Sequence, residues 1–427
     1  MHDIGKNLVK TILSNNGYTV IDLGKQVPAE TIISKAIEIN ADAIGLSALL
    51  VSTSKQMPLI INELHRRGLK FPVLIGGAAI NERFGRRILL TDDQHNYAGG
   101  VFYCKDAFEG LSTMDALSTP DSRVKIFDRI TTESKMELDR KADEKPLIPS
   151  GARSATRKAE QIPTPSAWGT RIVKEMPLEI VFKHLSKNEL FRLSWGGKNT
   201  HGEAWTKLQR EFEERLALMS KQALAEKWLQ PQAVYGIWPA QSSGDDLIIY
   251  APPVDGSTPS REISRFTFTR QLAGESLCLA DYFASVDSGL MDTVAFQVVT
   301  VGRAATERFE RLQNNNDYTE AYFTHGLAVQ TAEATADYLH AHVRRELGIK
   351  PDQGKRYSWG YPAIPELSDH RKVFDLLPVE AELGMNLTPA FQLVPEQSTA
   401  AIIVHHPDAR YYNIGESRVD QLTRESK

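Results

Sequence analysis

Asp42-Ala43-Ile44-Gly45-Leu46-Ser47-Ala48-Leu49-Leu50 is a short apolar run with small residues toward its end. A run of this length between helix-patterned segments reads as a buried strand. Ser54 to Arg67 follows with helical spacing. Phe71-Pro72-Val73-Leu74-Ile75-Gly76-Gly77 then reads as a second strand, ending in a glycine pair. On the amino-terminal side, Pro28-Ala29-Glu30 starts a helix through Ile39, and Tyr18 to Gly24 reads as a strand. Ahead of it, Met1 to Asn7 forms a short polar loop. That loop leads into an amphipathic helix with Leu8, Val9, Ile12 and Leu13 on one face, stopped by Asn15-Asn16-Gly17. A short strand near Val101 and a helix from Lys105 to Leu111 complete the pattern. Strands alternating with helices at this spacing predict an α/β domain over residues 1–118 with a doubly wound parallel sheet. Ligands of such sheets lie at the carboxyl ends of the strands, where Ser47, Thr53, Gly76 and Gly77 fall, beside the loop carrying His2. The loop before the first helix should itself be fed by a central strand. The expectation is therefore a sheet lacking its first strand, through truncation or because another polypeptide supplies it.

Residues 119–165 change character. Ser118-Thr119-Pro120, a charged run from Glu133 to Lys145, and Pro146, Pro149, Gly151, Pro163 and Pro165 read as a solvated linker with some helix. Residues 166–427 read as a second domain of α+β class with an antiparallel sheet, because strands and helices are grouped rather than alternating. Helical periodicity runs from Trp205 to Trp228 and from Ala304 to Leu347. Strands are expected at Ala233–Trp238, Leu247–Tyr250, Ile263–Phe268, Ala295–Val301 and Thr399–His405.

With 427 residues, 41% of them hydrophobic, the chain suits two or three globular domains. No apolar run approaches the ~18 residues of a membrane span, and no signal peptide is visible. Cys104 and Cys278 lie far apart and form neither a metal-binding pair nor a disulfide framework, so a reducing cytoplasm is expected. A net charge of -4 leaves no nucleic-acid footprint. There is no internal repeat and no P-loop.

Two sets of motifs, in order, carry a resemblance. His2-Asp3-Ile4-Gly5 resembles the second half of the Asp-x-His-x-x-Gly motif of cobalamin-binding domains. Gly45-Leu46-Ser47-Ala48-Leu49 and Ile75-Gly76-Gly77-Ala78 resemble that family's later motifs. The second domain resembles the activation domain of the cobalamin-dependent methionine synthase family. The matching stretches are Gly236-Ile237-Trp238-Pro239-Ala240, Gly244-Asp245-Asp246, Cys278 to Tyr282, Arg356 to Ala363 and His406 to Tyr412. The resemblance spans the chain except the linker, and it implies a flavodoxin-like first domain. It also implies that the homocysteine and folate domains and the helical cap of the full-length enzyme lie outside this chain. Zinc, bound by the homocysteine domain in that family, is then not a ligand of this chain.

The resemblance assigns residues. His2 would be the lower axial ligand to cobalt, with Gly5 in the same motif. The aspartate that orients this histidine in the family would precede Met1, and Asp3 lies on the wrong side to replace it. Ser47, Leu49, Gly76 and Gly77 would contact the cobalamin nucleotide tail, and the glycines suit close backbone approach or a tight turn equally. Thr53 would supply a relay hydroxyl, or else cap the next helix. Arg356 would pair with the α-carboxylate of S-adenosylmethionine, for which a guanidinium is suited. Without its motif, it would read as a surface salt bridge. Tyr361 belongs to the same motif. Tyr411 would accompany the sulfonium, or pack with Tyr412 in the core. Glu333 would face a ribose hydroxyl or the cationic ligand, or simply be solvated. Two departures stand out. No aspartate occurs around Leu185-Ser186, where the family has an acid, and Lys350 stands where some members have glutamate.

Implied is the cobalamin and reactivation portion of a methyltransferase. Methylcobalamin would carry a methyl group from methyltetrahydrofolate to homocysteine. Oxidised cobalamin would be remethylated from S-adenosylmethionine, with an electron from flavodoxin or a similar reductase. The expected partners are that reductase and, if the enzyme is split, its amino-terminal half; neither nucleic acid nor a membrane is expected. The alternative is a fragment that binds cobalamin or S-adenosylmethionine without turnover.

Overall fold

The computed structural model describes residues 2–24, 27–48, 54, 56–77, 80–93, 95–142, 153–156, 161–197, 200–253, 261–271, 274–315, 317–389 and 391–414. Two compact units divide the chain, Met1–Pro146 and Leu147–Lys427.

In the first unit α1 is His2–Asn15, α2 Ala29–Glu38, β1 Ile44–Ser47, α3 Gln56–Arg66, β2 Val73–Gly76, α4 Glu82–Ile88, β3 Val101–Tyr103, α5 Ala107–Ser118 and α6 Pro120–Ala142. The strands form a parallel sheet in the order β1-β2-β3, with Ile44 opposite Val73 and Val73 opposite Val101. Their apolar residues Ile44, Val73, Ile75, Val101 and Phe102 are buried with Ile33 of α2 and Ile60, Ile61 and Leu64 of α3. Asn81 and Asp106 cap α4 and α5 through side-chain oxygens that accept from Phe84 N and Glu109 N. Among the described residues no helix is long and apolar enough to cross a membrane.

Three sequence expectations are corrected in this unit. The polar loop expected around His2 is instead the first turn of α1, because Gly5 alone costs a helix only about 1 kcal/mol. Among the described residues Tyr18 to Gly24 joins no ladder. Its Ile21 and Leu23 are exposed, and Asp22 turns to Lys6 at 2.6 Å. Alternation cannot make a strand where no neighbouring strand offers backbone partners. The stretch expected as linker opens with the 23-residue helix α6. Pro120 is tolerated there because the first helical position needs no N–H donor. Ile126, Phe127 and Ile130 then pack on the first core, and Ser134 Oγ donates to Arg86 O at 2.6 Å.

The second unit has β4 Gly169–Val173, α7 Gly202–Glu226, β5 Gln232–Ser243, β6 Asp246–Tyr250, β7 Glu262–Thr267, β8 Asp292–Thr300, α8 Arg303–Asn314, α9 Tyr318–Glu346, β9 Lys355–Ser358, β10 Asn386–Leu387, β11 Leu393–Val394 and β12 Ser398–Val404. Seven strands form an antiparallel sheet in the order β7-β6-β5-β8-β12-β9, with β4 also on β5; β10 and β11 make a separate ribbon. β8 is buried along its whole length. Its Ala295 and Val299 face α9, whose Ala336, Leu339 and Val343 fall at helical spacing against the sheet. Alternation sends Phe296 to the other face, where its ring lies 5.0 Å from Phe266 and 6.3 Å from Trp359. Each large apolar side chain buried this way contributes about 1.5–3 kcal/mol. The buried hydroxyls of Thr331 and Thr335 donate to carbonyls one turn back, each at 2.7 Å, so these two residues enter the core with their donors satisfied.

Candidate functional site

In the first unit the strand ends come together as expected. Ser47 lies opposite Gly76 at the carboxyl ends of β1 and β2, and Ala48 N donates to Gly76 O at 3.0 Å. Gly77 follows with φ +113°, and a Cβ there would lie 2.1 Å from Ala48 O. Glycine is therefore required for these two strand ends to touch. Ser47 is exposed beside this junction, so the junction offers a hydroxyl next to bare backbone. Gly5 is part of α1, and the side chain of His2 lies outside the described residues, as do Leu49 and Thr53.

The second unit assembles the other expected residues. Glu333 and Asp337 stand one turn apart on α9 and point to the same side. Arg356 rises from β9 between them, its Nη2 2.9 Å from Glu333 Oε2 and 3.0 Å from Asp337 Oδ1. Its Nη1 donates to Ser358 Oγ at 3.3 Å. The Arg356 side chain is 11% exposed, and its Nε–H is buried without a partner among the described residues. Burial opposes the guanidinium charge, but Glu333 and then Asp337 hold it firmly protonated. Tyr361 Oη donates to Glu333 Oε1 at 3.2 Å, and the Glu333 charge, with burial, pushes its phenol up.

Strand β9 is held in place from both sides. Gly354 has φ +75°, and a Cβ there would lie 2.3 Å from Val404 O, so only glycine lets β9 start this close to β12. Arg344 of α9 donates to the carbonyls of Gln353 and Gly354 at 2.8 and 3.0 Å. His340, between Asp337 and Arg344 on the same helix face, is buried and its Nε2 has no hydrogen-bond partner among the described residues. Burial, helped by Arg344, Arg356 and Lys355, pushes its imidazole down to about 3.

Tyr411 is 68% exposed, with its ring 5.6 Å from that of Tyr357, so it is not the core residue that pairing with Tyr412 would make it. It lies within the electrostatic reach of Arg356, Asp337 and Glu333. Arg356 is more than a surface salt bridge, and Glu333 is tied to both Arg356 and Tyr361. Sequence reading missed Asp337 and Ser358. The i, i+4 spacing of Asp337 from Glu333 was its available signal. At Leu185-Ser186, Ser186 Oγ accepts from Glu189 N at 3.3 Å and caps a single turn. The charge of Glu189 reaches Tyr361, so a carboxylate stands near the position where the expected aspartate is missing. Lys350 is exposed beyond the end of α9.

The arrangement is one cation flanked by carboxylates, with a spare buried N–H donor and exposed phenols at its rim. Chemically it suits a zwitterion carrying an additional positive charge: an anion for Arg356, cations for Glu333 and Asp337.

Comparison with known proteins bears on both units. A family profile described as vitamin B12 dependent methionine synthase, activation domain, matches residues 198–426. A B12 binding domain profile matches residues 1–93. Methionine synthase of Mycobacterium tuberculosis (strain ATCC 25618 / H37Rv) is 35% identical over 462 residues, covering 97% of this chain and 38% of the relative. The Mycobacterium leprae (strain TN) methionine synthase is 34% identical over 465 residues, with the same coverage, 97% and 38%. The chain thus spans 38% of the length of these relatives. The crystal structure of the MetH reactivation domain bound to AdoHcy is 27% identical and superposes with a TM-score of 0.54, covering 62% of this chain and 88% of that one.

Proposed function

The chain belongs to the vitamin B12-dependent methionine synthase activation-domain family, and from that premise we propose that it is the cobalamin-binding and reactivation portion of a methionine synthase. The observation that carries the reading is Arg356, nearly buried between Glu333 and Asp337 with an unpartnered Nε–H. S-adenosylmethionine offers an α-carboxylate, an α-ammonium and a sulfonium. The carboxylate takes the Arg356 fork, and Nε–H gains the acceptor it lacks. Glu333 and Asp337 then turn to the two cationic groups, with Tyr361 and Tyr411 at the rim. These residues bind and orient; the methyl group is on the ligand.

In the first unit, Ser47, Gly76 and Gly77 would hold the cobalamin tail, and His2 would offer its imidazole to the cobalt. Gly77 meets Ala48 backbone to backbone, and so close a junction leaves the strand ends open to a tail lying across them. Bound cobalamin would supply methyl-carrier chemistry, which no side chain provides. Turnover of homocysteine and methyltetrahydrofolate, and electron delivery by flavodoxin or a similar reductase, are proposals for the whole protein of which this chain would be a part.

Two titrations test the reading. S-adenosylmethionine should bind the chain calorimetrically with one site in the second unit. Methylcobalamin should be retained through gel filtration with a base-off, histidine-ligated spectrum. Absence of S-adenosylmethionine binding would overturn the assignment of Arg356, and loss of the cofactor would overturn that of His2.

A further inference from the structure

Asp292 and His405 form a hydrogen-bonded pair in the interior, each 1% exposed, with His405 Nε2 2.6 Å from Asp292 Oδ1. Among the described residues the other donors to this carboxylate are backbone: Thr293 N to Oδ1 at 2.6 Å and Ala284 N to Oδ2 at 2.7 Å. Three groups thus converge on the aspartate. Among the described residues His405 Nδ1 is buried without a partner, and the Phe283 ring lies edge-on at 6.3 Å. A buried polar pair of this kind is weak evidence for stability, since apolar replacements pack as well or better. What it supplies is one fixed geometry.

The pair stands where that geometry matters. Asp292 opens β8, and His405 is the first residue after β12, whose Ile403 and Val404 lie opposite Arg356 and Lys355. From His405 the chain runs through His406 and Arg410 to Tyr411. Asp408 N donates to His406 Nδ1 at 3.1 Å, and Tyr357 Oη donates to Arg410 O at 2.7 Å. A second route leaves through the backbone. Gln353 Nε2 donates to His405 O at 2.9 Å, and the Gln353 carbonyl accepts from Arg344, on the same helix face as Glu333 and Asp337.

We propose that the Asp292–His405 pair is a positioning pair for the ligand site, fixing both the start of β9, which carries Arg356, and the chain that carries Tyr411. The inference rests on the S-adenosylmethionine reading above. Neither residue touches the ligand; both act through Gln353, β12 and residues 405–411.

The test is calorimetric titration of S-adenosylmethionine into the full chain with three variants. His405→Gln retains an amide donor for Asp292. His405→Leu removes the donor at similar bulk. Asp292→Asn sets an amide donor against one of the three N–H groups. Leu and Asn should weaken binding roughly tenfold, and Gln should stay within about threefold. A folded His405→Leu protein that binds like wild type overturns the proposal even if its thermal midpoint falls. Gln behaving as badly as Leu also overturns it, because packing rather than the hydrogen bond would then be at work. Should the variants not fold, nitrogen-15 resonances of His405 in the wild-type chain decide the matter. They should shift as S-adenosylmethionine saturates the protein, and a resonance indifferent to the ligand overturns the proposal. Arg356→Ala, run in parallel, separates the two levels: normal binding there sinks the site reading itself, whereas lost binding there with normal binding in His405→Leu sinks only the positioning pair.

Discussion

Replacing Arg356 by alanine should cost S-adenosylmethionine binding about a hundredfold. The side chain is 11% exposed and sits between carboxylates that are 26% and 54% exposed. Without it, the ligand carboxylate enters against Glu333 and Asp337 with no cation to meet it. Losing one partner of a buried, hydrogen-bonded charge pair costs about 2–5 kcal/mol. The partial exposure of Asp337 places this site in the lower half of that range, at about 3 kcal/mol, or roughly two decades in dissociation constant. Arg356→Lys should recover part of the loss, because it keeps the charge and forfeits the fork. Calorimetry with S-adenosylmethionine and with its decarboxylated analogue is the assay. The analogue has no carboxylate to lose, so Arg356→Ala, which frees Glu333 and Asp337 from their cation, should bind it at least as well as wild type. Affinity of the alanine variant within about threefold of wild type for S-adenosylmethionine would refute the reasoning. So would an equal loss for both ligands, since that would mean a collapsed site.

Three further predictions follow from the geometry. Burial holds His340 down to about 3 and His370 down to about 4, against an ordinary 6.5, so both stay neutral in the fold while the unfolded chain protonates them. The unfolded state then binds more protons, and the second unit should lose stability as pH falls from about 7 toward 4, by on the order of 1 kcal/mol per pH unit for each histidine. Urea midpoints that stay flat or rise on acidification would contradict this, and His370→Gln should reduce the slope. Burial also pushes the Cys104 and Cys278 thiols up to about 11 and about 12, so iodoacetamide at pH 8 should label neither in the native protein and both after denaturation, as read by mass spectrometry. Gly77→Ala places a methyl on the Ala48 carbonyl at positive φ and should destabilise the first unit by about 2 kcal/mol or more. Denaturation followed by circular dichroism checks it, and an unchanged first transition would refute the requirement for glycine.

What the sequence revealed, and what it hid, has physical causes. β1, β2 and β3 were legible because each is a short apolar run set between helix-patterned segments. β9 was not, because it opens Lys355-Arg356 and owes its place to β12, Arg344 and the missing Cβ of Gly354. β4 was hidden in the same way: Thr170 and Ile172 are exposed and its ladder is made by β5. Helix α6 was masked by its charges, although Ile126, Phe127 and Ile130 already had helical spacing. In the site, Arg356, Glu333 and Tyr361 were recognisable only through family motifs. Their junction could not be read from either segment alone, since it needs a helix and a strand 23 residues apart in sequence to meet. Asp337 escaped because a helix acid looks solvated until the cation beside it is known.

The paired carboxylates around Arg356 also bear on how a spent ligand would leave. Unliganded, the cluster carries one negative charge in excess. On the proposed reading, S-adenosylmethionine would bring one surplus positive charge and leave the loaded site neutral. Transfer of its methyl group to an acceptor would turn the sulfonium into an uncharged thioether, and the excess would return with product still in place. Arg356 would then be better satisfied by Glu333 and Asp337 than by a ligand that no longer compensates them. The same contacts that admit the donor would release its remnant, with no moving lid required.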